Sequence, residues 1–457
     1  MNILYVSTLC SDKLIKELFD AGYKPIQAIQ KFNKLLVTGL AENGCDVYAL
    51  TEIPKTTGPK FYKRKRETED KINYIYSRKA DIKLVYNLYI FLSGFFLTLK
   101  WGLKHRKGSG KVVDSPNNEN IKNHTNISDN EYFKCDTNLS KNLKTKNRNV
   151  AVLDVLQTEF CSGALLACRL LKIKAVGVVT DLPGLPGMLA GSRRTAIHRY
   201  AEKVIDRYAN SFDSYILLTE QMNGVVNRKG RPYMIMEGLV DANMVNSDSA
   251  VCNDNRKIVI YAGGLYEEYG IRYLIDGFKM LDDKNAELHL FGHGAMVDDI
   301  KKDMEEDDRI RFFGIVHNSK VVEAELQAAL LVNPRPTVAD FTKYSFPSKN
   351  MEYMVSGTPV LTTVLPGMPK EYHDYVYLLE DESAHGVHQM LTKLLVDTPP
   401  EELKLKGRRA KQFVLDNKNN IYQSKRVIDF LENNAERLLI NSSVIQGSVK
   451  QDSVSNR

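Results

Sequence analysis

The sequence NPRPTVADFTKYSFPSKNMEYMVSGTPVLTT, residues 333–363, gives the clearest indication of the fold. It follows the short apolar run Ala328 to Val332, which is typical of a buried strand in a parallel sheet. Pro347 has the fixed φ that suits a first helical turn, so Ser348 to Val355 is predicted to be a helix, closed by a Ser-Gly C-cap. Val360 to Thr363 then begins the next strand.

A loop that enters a helix at the carboxyl edge of a parallel sheet is where such folds bind ligands. The first amides of the helix favour a phosphate group. Lys349 lies in the first turn, where a cation opposes the helix dipole, so its presence there needs another reason. Glu352 lies one turn further on and could accept hydrogen bonds from sugar hydroxyls. The alternative is an ordinary capped helix with one exposed ion pair.

The rest of the chain alternates strands with helical patterns, which predicts two α/β units with parallel sheets. The strands predicted for the first unit are 2–7, 46–51, 149–154, 174–180, 214–219 and 233–237. Those predicted for the second unit are 257–261, 287–291, 309–313, 328–332, 359–363 and 375–379. The predicted helices outside the opening stretch include 27–42, 162–171, 196–208, 401–415 and 421–439.

These patterns divide the chain into a first domain at 1–242, a linker at 243–256 and a second domain at 257–420. A helix at 421–440 would follow, and then a disordered tail at 441–457. Residues 105–148 are rich in Asn, Lys, Ser and Asp and poor in apolar residues, so we expect a disordered insertion that is dispensable for folding.

Composition excludes several classes of protein. The net charge of +7 is modest for 457 residues, and zinc-finger spacing, RNP-like strands and long basic helices are lacking, so nucleic acid is not an expected partner. The six cysteines form no CxxC pair, as expected of reduced thiols in the cytosol. The amino terminus begins directly with a strand pattern, so we expect no signal peptide.

Two segments suggest contact with a membrane surface. Lys60 to Arg66 is a basic run, either a solvated loop or a headgroup-binding segment. Leu84 to Leu103 is the most apolar part of the chain, but only about 16 residues precede Lys100, fewer than a spanning helix needs. A buried or groove-lining helix, an interfacial helix and a membrane span all remain open, in that order of preference.

Four blocks, in order, resemble the family 4 glycosyltransferases, which have the GT-B fold. FPSKNMEYMVSGTPVL at 346–361 is similar to the family's donor-site motif. The others are YAGGLYEEYG at 261–270, LHLFGHG at 288–294 and FFGIV at 312–316. The resemblance implies two facing Rossmann-like domains, with a C-terminal helix that crosses back to the first domain.

The same resemblance implies roles for individual residues. Lys349 and the amides at Ser348 would stabilise the departing diphosphate, and Glu352 would bond the nucleotide ribose. Asp181 would face the reaction centre as a catalytic residue; the alternative is an ordinary turn residue before Pro183. The other candidate donor-binding residues are Gly263, Gly264, Gly292, Arg272, Arg335 and Tyr344.

The chain departs from the family's pattern at three places. Gly264 and Tyr269 stand where many relatives have the Arg and Lys that hold the donor diphosphate, and Arg272 or Arg335 could substitute. Tyr344 stands at the first position of the family's Glu-x7-Glu pair. The turn from Thr8 to Lys13 lacks the family's glycine pair.

The resulting prediction is a retaining glycosyltransferase that moves a sugar from a nucleotide sugar, on analogy a UDP-sugar, to a glycan or lipid-linked acceptor. We expect no cofactor and, because no Asp-x-Asp motif occurs, no required metal ion. The predicted location is cytoplasmic, peripheral at the anionic inner face of the membrane. Two alternatives remain open: a sugar-nucleotide epimerase on the same fold, and a non-catalytic partner of a glycan assembly complex.

Overall fold

The computed structural model describes residues 1–23, 27–53, 59, 62–63, 65–78, 85–106, 148–183, 196–244, 256–338 and 340–433. The described strands are β1 (Asn2–Ser7), β2 (Asp46–Thr51), β3 (Arg66–Glu69), β4 (Ile72–Tyr76), β5 (Asn149–Asp154), β6 (Lys174–Val179), β7 (Ser214–Leu217), β8 (Tyr233–Ile235), β9 (Lys257–Gly264), β10 (Ala286–His293), β11 (Ile310–Gly314), β12 (Leu330–Asn333), β13 (Val360–Thr363) and β14 (Tyr377–Leu379).

The described α-helices are α1 (Asp12–Asp20), α2 (Gln27–Glu42), α3 (Tyr86–Arg106), α4 (Thr158–Leu171), α5 (Ala196–Ala209), α6 (Asn223–Val226), α7 (Ile271–Lys279), α8 (Val297–Glu306), α9 (Asn318–Gln327), α10 (Ser348–Ser356), α11 (Ala384–Thr392), α12 (Pro400–Asn417) and α13 (420–433). Short 3₁₀ turns lie at Glu220–Met222, Glu267–Tyr269, Asp340–Tyr344 and Lys370–Tyr375.

The first domain is built on an eight-stranded sheet with the order β3-β4-β2-β1-β5-β6-β7-β8. All neighbours pair in parallel except β3 and β4, which form an antiparallel hairpin. Strand order reverses direction between β1 and β5, so a crevice opens at their carboxyl ends, as in other doubly wound sheets. The predicted α/β class and parallel pairing are confirmed.

The second domain has a six-stranded parallel sheet with the order β11-β10-β9-β12-β13-β14. Its switch point lies between β9 and β12, whose pairing is limited to Leu330 with Val259 and Leu331 with Ile260. Both faces of this sheet are covered by apolar clusters. The carboxyl ends of β9, β12 and β13 therefore border one crevice, and the space between it and the first domain is called the interdomain cleft below.

The chain passes between the two domains near Val240 and Asn419, which pair as an isolated bridge. Val240 donates its N–H to Lys418 and its carbonyl accepts from Asn420. Helix α13 then packs on the first domain, where Val427 and Ile428 join the core around β1 and β2. The predicted return of the C-terminal helix to the first domain is thus present.

Leu84 of the predicted apolar segment, Leu84 to Leu103, lies outside the described residues, and the segment from Tyr86 onward belongs to α3, which packs closely on α4. The two helices approach through glycines: a Cβ on Gly94 would lie 2.1 Å from the carbonyl oxygen of Phe160, and one on Gly163 would lie 1.9 Å from that of Phe91. In the described part of the chain, no helix has the length and apolar character required to cross a membrane.

Several local predictions need correction. Helix α10 ends at Ser356, one residue after the predicted end, and Pro347 is its N-cap residue, with φ −72° and ψ 105°. Helix α4 begins at Thr158, four residues before the predicted start. Helix α1 and the β3–β4 hairpin were not predicted: α1 has only nine residues, and β3 is a polar edge strand of only four. Most of the insertion, the linker and the tail lie outside the described residues.

Candidate functional site

Helix α10 is held at the carboxyl edge of the second sheet by buried polar side chains. Asn350 is fully buried; its Oδ1 accepts from Asn333 Nδ2 at 2.7 Å, and its Nδ2 donates to Thr362 Oγ1 at 3.2 Å. Tyr353, also fully buried, accepts a hydrogen bond from the Ala262 N–H at 2.9 Å. These hydrogen bonds fix α10 to β12, β13 and β9. The sequence analysis identified neither Asn350 nor Tyr353 as a residue that holds the helix in place.

The first turn of α10 offers donors and a cation to the cleft. In the described structure, the N–H groups of Ser348 and Lys349 have no acceptor, whereas that of Asn350 bonds Pro347. The Lys349 side chain runs over the end of β9, with its Cε 2.9 Å from the place where a Cβ on Gly263 would be. A side chain at residue 263 would displace the lysine from this position. The geometry suits an anion held by both amides and the ammonium group.

Glu352 reaches the first domain. Its Oε1 lies 2.6 Å from Lys31 Nζ on α2, and both side chains are partly exposed, at 37% and 41%. The contact joins residues 321 positions apart, so no sequence pattern could reveal it. An ion pair this exposed is worth at most about 1 kcal/mol, and it can open for a ligand.

Glu325 on α9 is a second carboxylate of the site that sequence reasoning missed. It is only 5% exposed, and its carboxylate makes no hydrogen bond within the described residues. Burial raises the pKa of Glu325 to about 7, and the charge of Lys349 opposes that rise. Glu352 adds repulsion and Lys31 attraction, so these four side chains form one electrostatic group.

Glycines shape the neighbouring strand ends. Gly292 has φ +131°, and a Cβ there would lie 1.8 Å from the carbonyl oxygen of Gly263. Strands β9 and β10 can therefore approach this closely only with glycine at position 292. Gly264 faces two aromatic rings, since its Cβ would fall 2.9 Å from Tyr269 and 3.0 Å from Tyr266. The predicted residues Gly263, Gly264 and Gly292 therefore lie together.

Arg335 follows β12 and stacks on Tyr269, with its guanidinium carbon 4.4 Å from the ring centroid. Across the cleft, partial desolvation raises the pKa of Asp181, and the charge of Arg335 opposes that rise. Asp181 Oδ1 also accepts from the Leu182 N–H at 2.8 Å. Arg335 and Asp181 thus face each other from different domains.

Arg272 and Tyr344 lie elsewhere. Arg272 makes two 3.0 Å bonds to Asp303 and a 2.9 Å contact with Asp276, so its guanidinium is committed to carboxylates on α7 and α8. Tyr344 packs against the apolar core of the first domain. In the described structure, neither residue makes a hydrogen bond or ion pair with Lys349 or Glu352.

Three successive amides of the turn after β1 are already hydrogen-bonded. The N–H groups of Leu9, Cys10 and Ser11 donate to Ser7 Oγ, Gln30 Oε1 and Tyr76 Oη, at 2.8 to 3.0 Å. All three residues are buried. These three amides are therefore not available to a phosphate group.

An acidic cluster on the first domain is neutralised by a lysine. Ligand atoms of Asp12, Glu69 and Asp70 lie within 4.8 Å of one another. Lys34 Nζ lies 3.0 to 3.3 Å from all three carboxylates. The ammonium group takes the place that a cation would need.

The second domain is similar in sequence to a known protein family, and the whole fold is similar to solved structures. Residues 256–397 match the family model described as Glycosyl transferases group 1. No curated protein matches the sequence. Sucrose-phosphate synthase from Thermosynechococcus elongatus has 14% identity and a TM-score of 0.58, over 95% of this chain and 100% of that one.

Two further structures match to the same degree. Anabaena HepE in complex with UDP has 12% identity and a TM-score of 0.58, over 95% of this chain and 100% of that one. A glycosyltransferase from Rickettsia africae has 10% identity and a TM-score of 0.58, over 95% and 98%. At such identities the likeness concerns the fold. The protein therefore has the GT-B architecture of glycosyltransferases, and its residues 256–397 match the glycosyl transferases group 1 family.

Proposed function

We propose that the protein is a retaining glycosyltransferase that moves a sugar from a UDP-sugar to a glycan or lipid-linked acceptor, in the synthesis of a cell-surface polysaccharide or glycolipid. The observation that carries the proposal is the first turn of α10. There two free amides and Lys349 converge beside Gly263, one turn from Glu352. The match of residues 256–397 and the HepE complexes with UDP and UDP-glucose support a nucleotide-sugar donor.

In this proposal the donor's diphosphate lies at the amino end of α10. Breaking the bond between the sugar and the diphosphate leaves a growing negative charge on the leaving oxygen. Lys349 and the amides of Ser348 and Lys349 stabilise that charge where it develops, which is usually the largest catalytic contribution. The oxygen of the acceptor hydroxyl forms the new bond to the sugar, and its proton passes to the departing diphosphate oxygen. Glu352 releases Lys31 and accepts from the ribose hydroxyls.

Arg335 is the better replacement for the cations absent at Gly264 and Tyr269. It lies at the end of β12, and the ring of Tyr269 supports its guanidinium. Arg272 would have to give up Asp303, which is only 8% exposed and would keep only Lys279 as its partner, and removing one partner of a buried ion pair is costly. We therefore assign the second diphosphate contact to Arg335.

The acceptor enters from the first domain, on the side of Asp181. The enzyme also associates with an anionic membrane surface at the cytoplasmic face. Supporting this are three exposed apolar residues of α3, Leu88, Leu92 and Phe96, and the cations Lys100 and Lys104 on the same helix. Binding to anionic vesicles should weaken as salt rises beyond the concentration at which the Debye length is about 8 Å. Binding that ignores salt would contradict a charge-driven association.

The test measures release of UDP from a panel of UDP-sugars with lipid-linked and glycan acceptors, with and without a metal chelator. Lys349→Ala should lower kcat by roughly 10²-fold or more with a small change in donor affinity. Glu352→Ala should mainly weaken donor binding, by about 1–3 kcal/mol. Lys404→Ala is the control, because Lys404 pairs with Glu401 on the exposed face of α12.

Three outcomes would contradict the proposal. Normal turnover in both site variants would show that the donor site is placed wrongly. Interconversion of nucleotide sugars without release of nucleotide would identify an epimerase. Binding without turnover of any donor would identify a non-catalytic partner, a reading that the missing cations at Gly264 and Tyr269 favour.

A further inference from the structure

A cavity of about 450 Å³ lies in the first domain between the β3–β4 hairpin, β2 and the last turns of α3. It is lined by Tyr48, Arg66, Glu67, Thr68, Asn73, Tyr74, Ile75, Leu97, Lys100, Trp101, Lys104 and His105. Tyr48 on β2 pairs with Asn73 on β4, and both residues lie near the amino ends of their strands, two residues after Asp46 and one after Ile72. The interdomain cleft borders the carboxyl ends, so this cavity is a separate site.

One wall of the cavity is aromatic. The ring of Tyr48 lies 5.9 Å from that of Trp101 and 4.7 Å from that of His105, and the last two rings are 4.9 Å apart. His105 is fixed by a 2.8 Å bond between its Nδ1 and the Trp101 carbonyl. Such a wall presents flat apolar faces, which suit the C–H face of a ring polyol.

Trp101 carries an unpaired donor. The residue is only 4% exposed, and its Nε1 has no hydrogen-bond partner within the described structure. Buried indole N–H groups usually find a partner, so this donor still needs an acceptor. A ligand hydroxyl would supply one.

Three exposed cations border the same cavity: Arg66, Lys100 and Lys104. None of them pairs with a carboxylate in the described part of the chain. The acid among the lining residues, Glu67, is already compensated, since it accepts from Tyr76 at 2.7 Å and pairs with Lys65 at 3.0 Å. The cavity mouth therefore has a net positive charge.

We propose that this cavity binds a ring polyol that carries a phosphate. The ring lies against Tyr48 and His105, a hydroxyl accepts from Trp101 Nε1, and the phosphate meets Lys100 and Lys104, which are one helical turn apart. Phosphate forms strong charge-assisted bonds with such cations. The ligand is either the headgroup of a membrane lipid or a free sugar phosphate, and the proposal is independent of the glycosyltransferase function.

Trp101 is the only tryptophan in the chain, so its emission reports on this cavity alone. Titration with myo-inositol 1-phosphate should give a saturable change in tryptophan emission. Neutral myo-inositol should bind at least 10-fold more weakly, since it lacks the charged group. No saturable change, or an equal response to the neutral polyol, would overturn the proposal.

Paired variants test the cations. Lys100→Gln with Lys104→Gln removes two exposed charges at the cavity and should weaken binding of myo-inositol 1-phosphate at least 10-fold. Lys13→Gln with Lys16→Gln removes two exposed charges from α1 and should bind like the parent. Equal affinity in the two double variants would contradict the assignment of the phosphate to Lys100 and Lys104.

Vesicles distinguish the two sources of ligand. Phosphatidylcholine vesicles that contain phosphatidylinositol should change the Trp101 emission and compete with the soluble probe if the ligand is a lipid headgroup. Exposed Leu92, Phe96 and Leu103 on α3 would then reach the bilayer. A response to the soluble probe alone supports a free sugar phosphate as the ligand. Vesicles that change the emission equally with and without phosphatidylinositol would overturn specific headgroup binding.

Discussion

Replacing Glu325 by glutamine should make the protein's stability less dependent on pH. Glu325 is 5% exposed on α9, and burial is the largest cause of its raised pKa, which lies at about 7. The positive charge of Lys349 opposes the shift, but too weakly to restore the ordinary value of 4.5. The folded protein therefore holds a proton on Glu325 at pH values where the unfolded chain has lost it.

The sign follows from that difference. Below pH 4.5 the carboxyl is protonated in both states and contributes no pH dependence. Between pH 4.5 and 7 the folded state binds more protons, so stability falls as pH rises, and above pH 7 the penalty is constant. With these two pKa values the loss between pH 5 and pH 7 amounts to about 2 kcal/mol. For a domain of this size that corresponds to roughly 4–8 °C in Tm.

The assay is thermal and urea unfolding of the parent and of Glu325→Gln at pH 5, 6, 7 and 8. The difference in unfolding free energy, variant minus parent, should rise by about 2 kcal/mol between pH 5 and pH 7 and then level off. Glu323→Gln is the matched control, because Glu323 is exposed on the same helix, and it should follow the parent at every pH. Parallel pH profiles for the parent and Glu325→Gln would refute the reasoning, since Glu325 would then ionise as an exposed glutamate does.

Three further outcomes are expected. Arg335→Ala should weaken UDP binding at least roughly 10-fold in a calorimetric titration. Arg272→Ala should lower Tm and leave the affinity for UDP within about 3-fold of the parent's. The reverse pattern would assign the diphosphate contact to Arg272. Lys31→Ala should raise donor affinity by as much as about 5-fold, because it frees Glu352, and a loss of affinity would mean that Lys31 itself contacts the donor. Gly163→Ala should lower the free energy of unfolding in urea by at least about 2 kcal/mol, because its Cβ would meet the Phe91 carbonyl at 1.9 Å. Gly224→Ala is the control and should be neutral, because a Cβ there would have nothing within 4 Å. Equal effects of the two substitutions would contradict tight packing of α3 on α4.

Much of the fold could be predicted because its local patterns agree with its tertiary structure. Helix α2 occupies residues 27–42 and β5 occupies 149–154, as the apolar periodicity indicated. The Ser-Gly signal after α10 is a true C-cap, with Gly357 at φ +80°. Buried parallel strands are short apolar runs bounded by turn residues, so they can be identified even without knowledge of their neighbours.

The site was less accessible to such reasoning. Helix periodicity places Lys349 and Glu352 on one face, but the partner of Glu352 comes from α2 and has no counterpart in any local pattern. The sequence around Glu325 is typical of a polar helix and gives no sign that this side chain is buried in the folded protein. Arg272 and Arg335 are equivalent candidates in the sequence, and only the position of Asp303 separates them. Long-range electrostatics decide these roles, and they depend on tertiary contacts.

The two departures from the family's cation pattern are coupled through packing. With tyrosine at 269, residue 264 has to be small, because a Cβ there would lie 2.9 Å from the Tyr269 ring. The same ring supports Arg335 from the end of the adjacent strand β12. The cation–π interaction with an aromatic ring stabilises a stacked guanidinium by about 0.5–2 kcal/mol, and the N–H edge of the guanidinium can still bind an anion. Gly264, Tyr269 and Arg335 thus form one consistent arrangement, in which the positive charge lies at the end of β12 and not in the loop after β9. This arrangement supports the proposed contact between Arg335 and the donor diphosphate, because the stacked guanidinium lies at a strand end that borders the cleft.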